Sequence, residues 1–91
     1  MNTASYLNNI NYNDSKPHVE VLLESDFSKE IRLSFKAGQV MAEHKAPRPI
    51  VVQAISGSIA FEVNQQTHQL NQGDMISLEA NIPHSLKANT D

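Results

Sequence analysis

The sequence predicts an all-β domain of short antiparallel strands arranged as a sandwich or barrel. Apolar and polar residues alternate with a period of two, turn residues recur at close intervals, and no stretch sustains helical periodicity. With 91 residues, 40% of them apolar and 19% charged, the chain has ordinary globular composition and room for one compact core and one small cavity.

Residues 1–16, MNTASYLNNINYNDSK, carry five asparagines with Tyr6, Leu7, Ile10 and Tyr12 scattered among them. This stretch is too polar for core and too apolar for a pure linker. It reads as an N-terminal arm, either disordered or strapped across a neighbouring subunit. The barrel domain is expected over 17–91. HVEVLLES offers Val19 and Val21 on one face, and KEIRLSFKAG alternates Ile31, Leu33 and Phe35 with Glu30, Arg32, Ser34 and Lys36, the pattern of a half-buried strand. IVVQAI, IAFEV and MISL are strand-length and rich in β-branched residues. IVVQAISGSIAFEV is expected to form a hairpin turning at Gly57, and FEVNQQTHQL a second turning at Asn64. Turn residues at SDFS, KAGQ, APRP, SGS, NQQ, NQGD and ANIP separate seven or eight strands.

Charge and composition exclude several function classes. Seven basic residues against ten acidic ones give a formal charge of -3, without a Lys/Arg cluster and with three Phe and two Tyr. A nucleic-acid partner, which needs a basic stripe or stacking aromatics, is not expected. The apolar runs are far short of a membrane span, and the N-terminus lacks the basic and apolar regions of a secretory signal, so the expected location is the cytoplasm. With no cysteine, any metal must be held by His, carboxylate, amide or water.

Two segments carry a family resemblance. GQVMAEHKAPRPIVVQAISG (38–57) resembles the first cupin motif, in which Gly38, His44 and Gly57 keep the family spacing. GDMISLEANIPHSLKA (73–88) resembles the second, through Gly73 and His84, with Glu79 and Asn81 where the family has proline and glycine. The resemblance, to a small single-domain RmlC-like cupin, covers about residues 29–88 and implies an antiparallel double-sheet jelly-roll barrel with a cavity at its mouth. Gly38, Gly57 and Gly73 fall at strand junctions, where positive φ costs glycine little. Asp74 is expected to bond the turn backbone, and Pro83 completes the motif framework.

In metal-binding cupins the ligands are two histidines and a glutamate of the first motif and one histidine of the second. Carried over, these become His44, Ala46, Ile50 and His84. Alanine and isoleucine have no donor atoms, so the inherited site is two imidazoles, and a divalent metal (Fe, Mn, Ni or Zn) would be held weakly. Glu43 should point to the opposite face of its strand, and Gln53 reaches the cavity only if a bulge changes its parity. Cupins also continue past the second motif into one more apolar strand, whereas this sequence reads KANTD. An open edge is expected to pair with the arm or a partner, and a two-fold homodimer is the default.

His44 and His84 can serve as ligands, as acid-base groups or as polar groups lining a pocket. His18 and His68 are expected at the surface. Lys45 and Arg48, beside Pro47 and Pro49 in the APRP loop, are solvated charges or an anion hold. Met41, Met75 and Phe61 read as core or cavity wall. The leading expectation is a small-molecule binding or sensing barrel with His44, His84 and Gln53 at the cavity. The alternative is a metal-dependent enzyme of dioxygenase or isomerase type that recruits a third ligand. A third reading is a dimerising barrel without a ligand.

Overall fold

Alternating apolar and polar residues form eight strands: β1 (His18–Glu24), β2 (Lys29–Ser34), β3 (Val40–His44), β4 (Ile50–Gln53), β5 (Ser58–Val63), β6 (Gln66–Asn71), β7 (Met75–Leu78) and β8 (His84–Ala88). The structure, a computed structural model, describes residues 1–90; Asp91, the last residue of the expected barrel domain, lies outside them. No helix occurs among the described residues, and none is long and apolar enough to cross a membrane.

From β3 onward the antiparallel pairs nest: β5 with β6, β4 with β7, β3 with β8. This is the pattern of one long hairpin rolled into a double-sheet jelly roll. Four strands form one layer in the order β3-β8-β5-β6. The pairs β4-β7 and β1-β2 are separate two-stranded ladders. Phe35, Ala54, Phe61, Val63, Leu70, Leu86 and Ala88 are buried as one cluster, with Leu33 of β2, Val52 of β4 and Ile76 and Leu78 of β7 packed against it from the shorter ladders.

The expected hairpin at Gly57 does not form. β4 pairs with β7 in continuous register from Ile50↔Leu78 to Gln53↔Met75. Ala54 prolongs that ladder, its N–H donating to the Asp74 carbonyl at 2.9 Å and its carbonyl accepting from Gly73 N–H at 2.7 Å. The chain then changes layers at Gly57, where φ is 71°. Two consecutive strands looked like a hairpin because each has the right length, but their inward faces belong to opposite layers.

The turn at Asn64 does form a hairpin. Val63 and Gln66 pair directly, and the two residues between them, Asn64 and Gln65, have φ of 51° and 64°. Two positive φ values in a two-residue loop define the type I′ turn that matches strand twist.

Among the described residues β8 is not an edge strand. β8 lies between β3 and β5 and pairs with both.

The arm lies against its own chain. Arg32 is only 8% exposed. Its Nη1 donates to the carbonyls of Tyr6 (3.1 Å) and Asn8 (2.7 Å), its Nη2 to that of Asn9 (3.1 Å), and Nη2 also meets Glu20 Oε2 at 3.3 Å. Farther along, the buried Gln39 donates to the Asn13 carbonyl at 2.7 Å. The Lys36–Asp14 ion pair, 3.0 Å but fully exposed on the Asp14 side, adds little. Alternation placed Arg32 on the polar face of β2, and the arm covers that face.

Replacing Arg32 with Met leaves four arm carbonyls, those of Ser5, Tyr6, Asn8 and Asn9, without their donor. It should lower unfolding free energy by about 2–3 kcal/mol in urea titration, with proteolysis starting in residues 1–16; Lys should not rescue it, because an ammonium lacks the planar fork. Gln65→Gly should raise stability by up to about 1 kcal/mol in thermal unfolding, because it removes a side chain from a left-handed position.

Candidate functional site

Pairing of β3 with β8 sets His44 directly opposite His84. Their ring centroids are 4.3 Å apart with planes inclined at 60°. On the other side of β8, Val63 pairs with His84, which makes Phe61 its diagonal neighbour, and the Phe61 and His84 rings stack at 5.4 Å with planes only 12° apart. Phe61 is fully buried and His84 is 3% exposed, whereas His44 is exposed. The pair therefore has a rigid inner member, backed by the core, and an outer member exposed at the surface.

Each ring is oriented by backbone two residues earlier in the chain. His44 Nδ1 lies 2.9 Å from the Ala42 carbonyl, and His84 Nδ1 lies 2.9 Å from that of Ile82. A carbonyl can only accept, so in both neutral rings the proton sits on Nδ1 and the Nε2 lone pair is left to act as acceptor. The register shift between Met41 and His44 lets His44 face its partner.

The loops beside the pair are pinned together. Asn81 N–H donates to the Ala46 carbonyl at 2.7 Å, joining the APRP segment to the ANIP segment. Asn81 has φ 64°. Asparagine tolerates that left-handed conformation, which explains how it stands at the position where the motif has glycine. Across the barrel, Asp74 Oδ2 accepts from Asn71 N–H at 2.9 Å and closes the NQGD turn, with Gly73 at φ 91°.

The other candidates are placed elsewhere. Gln53, expected at the cavity, is exposed: the β4–β7 register has no bulge, so Gln53 shares the outward side of β4 with Val51. Met75, expected as core or wall, is 61% exposed at an outward position of β7, while Met41 packs against the core. Glu43 lies across the sheet from the histidines, where with Glu62, Asn64, Gln65 and Pro83 it lines a surface hollow of about 430 Å³. A second hollow, of about 490 Å³, runs along Pro49–Val51 and Ser77–Glu79. Lys45, Arg48 and His68 are exposed. His18 is half-buried, with Nδ1 enclosed and unpaired.

A metal needs more donors than this site provides. Among the described residues no three His, Cys, Asp or Glu side chains come together, and Ala46 and Ile50 offer none. Two imidazoles fill half of a tetrahedral shell and one short of a facial triad, so the residues present do not fit a resident metal.

Residues 31–91 match the family described as Cupin domain. The chain belongs to the cupin family. Solved structures repeat the fold over nearly its whole length. An RmlC-like cupin protein from Desulfovibrio desulfuricans superposes with a TM-score of 0.90 at 22% identity, over 100% of this chain and 89% of the other. The protein TT1209 from Thermus thermophilus gives 0.88 at 19% identity, over 99% and 87%. A conserved protein with a double-stranded β-helix domain from Klebsiella pneumoniae gives 0.85 at 21%, over 96% and 73%. The curated proteins contain no significant match. At these identities the likeness establishes the fold, and the chemistry of this cupin rests on its own side chains.

Two contributions escaped sequence reasoning. Arg32 and Gln39 hold the arm, and neither has a motif signal. Phe61 was legible as core, but its role as the plate behind His84 depends on the β5–β8 register. Removing that plate with Phe61→Ala should cost about 3–5 kcal/mol in denaturant titration. His44→Ala, at an exposed position, should change stability by less than about 0.5 kcal/mol.

Proposed function

We propose that this cupin binds a small, uncharged, hydroxyl- or amide-bearing molecule at the His44–His84 pair without a metal. The observation that carries the reading is the 2.9 Å approach of each Nδ1 to a backbone carbonyl, which in the neutral ring assigns the proton to Nδ1 and leaves Nε2 as an acceptor. Two acceptors on rings 4.3 Å apart suit a ligand that presents neighbouring donors. Phe61 holds His84 flat behind the site, and Ala46 and Ile50, both half-buried, carry no donor atoms that could compete for a ligand. Apolar walls with a few oriented polar groups are the usual make-up of small-molecule sites. Sensing or carrying such a molecule requires only this binding.

The orienting carbonyls favour one competing reading, because metal-bound histidines are held in the same way. The missing third donor weighs against it. A thermal-shift panel of neutral polyols, amides, carboxylates and divalent metals separates the two. Neutral donors should raise the midpoint by about 2–4 °C at saturation in the wild type, with or without chelator, and should do nothing in His44→Ala. Stabilisation by divalent metal alone, or metal-dependent turnover of any panel compound, would establish the metal-dependent enzyme instead.

A further inference from the structure

The chain is clasped just outside the ladder that carries the histidine pair. At one end the β3–β8 ladder closes with His44↔His84. Two residues beyond His44, the Ala46 carbonyl accepts from Asn81 N–H at 2.7 Å, so a backbone bond ties the chain leaving β3 to the chain entering β8. Asn81 itself has φ 64°. Among the described residues the other non-glycine residues in that left-handed conformation have other duties: Asn9 lies in the arm, and Asn64 and Gln65 make the β5–β6 turn. Asn81 is exposed, so what it contributes lies in its backbone.

We infer that Asn81 is the positioning residue of the pair: its left-handed backbone aims the Ile82 carbonyl at His84 and so decides which nitrogen of that ring meets a ligand. The inference rests on the binding reading proposed above, for which it names the residue that keeps His84 an acceptor. The Ile82 carbonyl is fixed from both sides. Before it, the Asn81 φ sets the direction in which the chain leaves the clasp, and the Ile82 side chain is packed against the core. After it, Pro83 confines Ile82 to extended backbone, because the proline ring crowds a helical residue in front of it. The carbonyl then lies 2.9 Å from His84 Nδ1. With an ordinary negative φ at position 81, either the clasp or the seat of Ile82 in the core is lost, and the carbonyl swings away. Without that acceptor the ring is free to carry its proton on Nε2, and it presents a donor where it now presents an acceptor.

His44 is held in a different way. Its orienting carbonyl belongs to Ala42, inside β3, so the strand itself sets that ring. His84 is the buried member of the pair, yet its orienting carbonyl belongs to a loop residue. A change at position 81 therefore acts on His84 and spares His44, a split that general loosening of the barrel does not produce.

Imidazole nitrogen NMR of the full chain, recorded with the rings neutral, tests this. Wild type and Asn81→Gly, which adopts the same φ freely, should carry the His84 proton on Nδ1. Asn81→Val, whose branched side chain opposes positive φ, should move that proton to Nε2 and leave His44 unchanged. If Asn81→Val does not fold, Asn81→Ala is the milder form of the same test. Sorbitol and acetamide serve as binding probes: Asn81→Gly should bind them as the wild type does, and the Val or Ala variant about tenfold more weakly, the loss of one acceptor. A His84 tautomer unchanged in the Val and Ala variants would overturn the inference, and so would a change in both rings together. Weakened binding in Asn81→Gly would overturn it equally, because the side chain rather than the backbone would then be meeting the probe. If neither probe stabilises the wild type, the binding reading falls, and the spectra alone still decide the role of Asn81.

Discussion

Pairing of β8 on both edges is the constraint on which the rest of the structure depends. His84, Leu86 and Ala88 alternate inward along that strand and are all buried, while Ser85 and Lys87 take the outward positions. Because β3 lies on one side and β5 on the other, a single inward residue, His84, meets His44 laterally and Phe61 diagonally. A one-residue slip in either ladder would turn His84 outward and leave Phe61 without its stacked neighbour, so barrel register and site geometry are one constraint. The same two-sided pairing makes β8 an interior strand of its layer.

The site follows from subtraction. The cupin framework supplies glycines at the junctions, a left-handed residue at position 81, and histidines facing each other across a ladder. Two donor positions are filled by Ala46 and Ile50. What stays behind is the orienting apparatus of the histidines, the carbonyls of Ala42 and Ile82, which still dictates which nitrogen carries the proton. Fixed tautomers give the pair a definite hydrogen-bonding polarity whether or not any ion is near, and that polarity is what a ligand would read.

Much of this was legible in the sequence because it is local. The hairpin at Asn64 and the Asp74 closure of its turn depend on residue type and short spacing, whereas His44 and His84 were singled out by the family resemblance and face each other through the long-range β3–β8 ladder. What was misread depended on which layer a strand joins. IVVQAI and IAFEV are each convincing strands, but period-two alternation says which residues face inward and not which strand lies alongside. Gln53 and Met75 were misplaced for the related reason that an unbulged β4–β7 ladder fixes their parity outward. Alternation placed Arg32 on the polar face, but nothing local could show that this face is covered, because its cover comes from residues more than twenty positions away.

The sequence alone thus determined the class of fold, the strand spacing and the absence of donor atoms at positions 46 and 50, since alternation, turn chemistry and side-chain donor atoms are properties of short segments. Tertiary structure decided the nesting of the strands, the tautomers of the histidine pair, the seat of the arm on Arg32 and the clasp between Asn81 and Ala46. Those depend on contacts between segments far apart in the chain, where free energy is gained only once the whole core has closed and no single segment records the outcome.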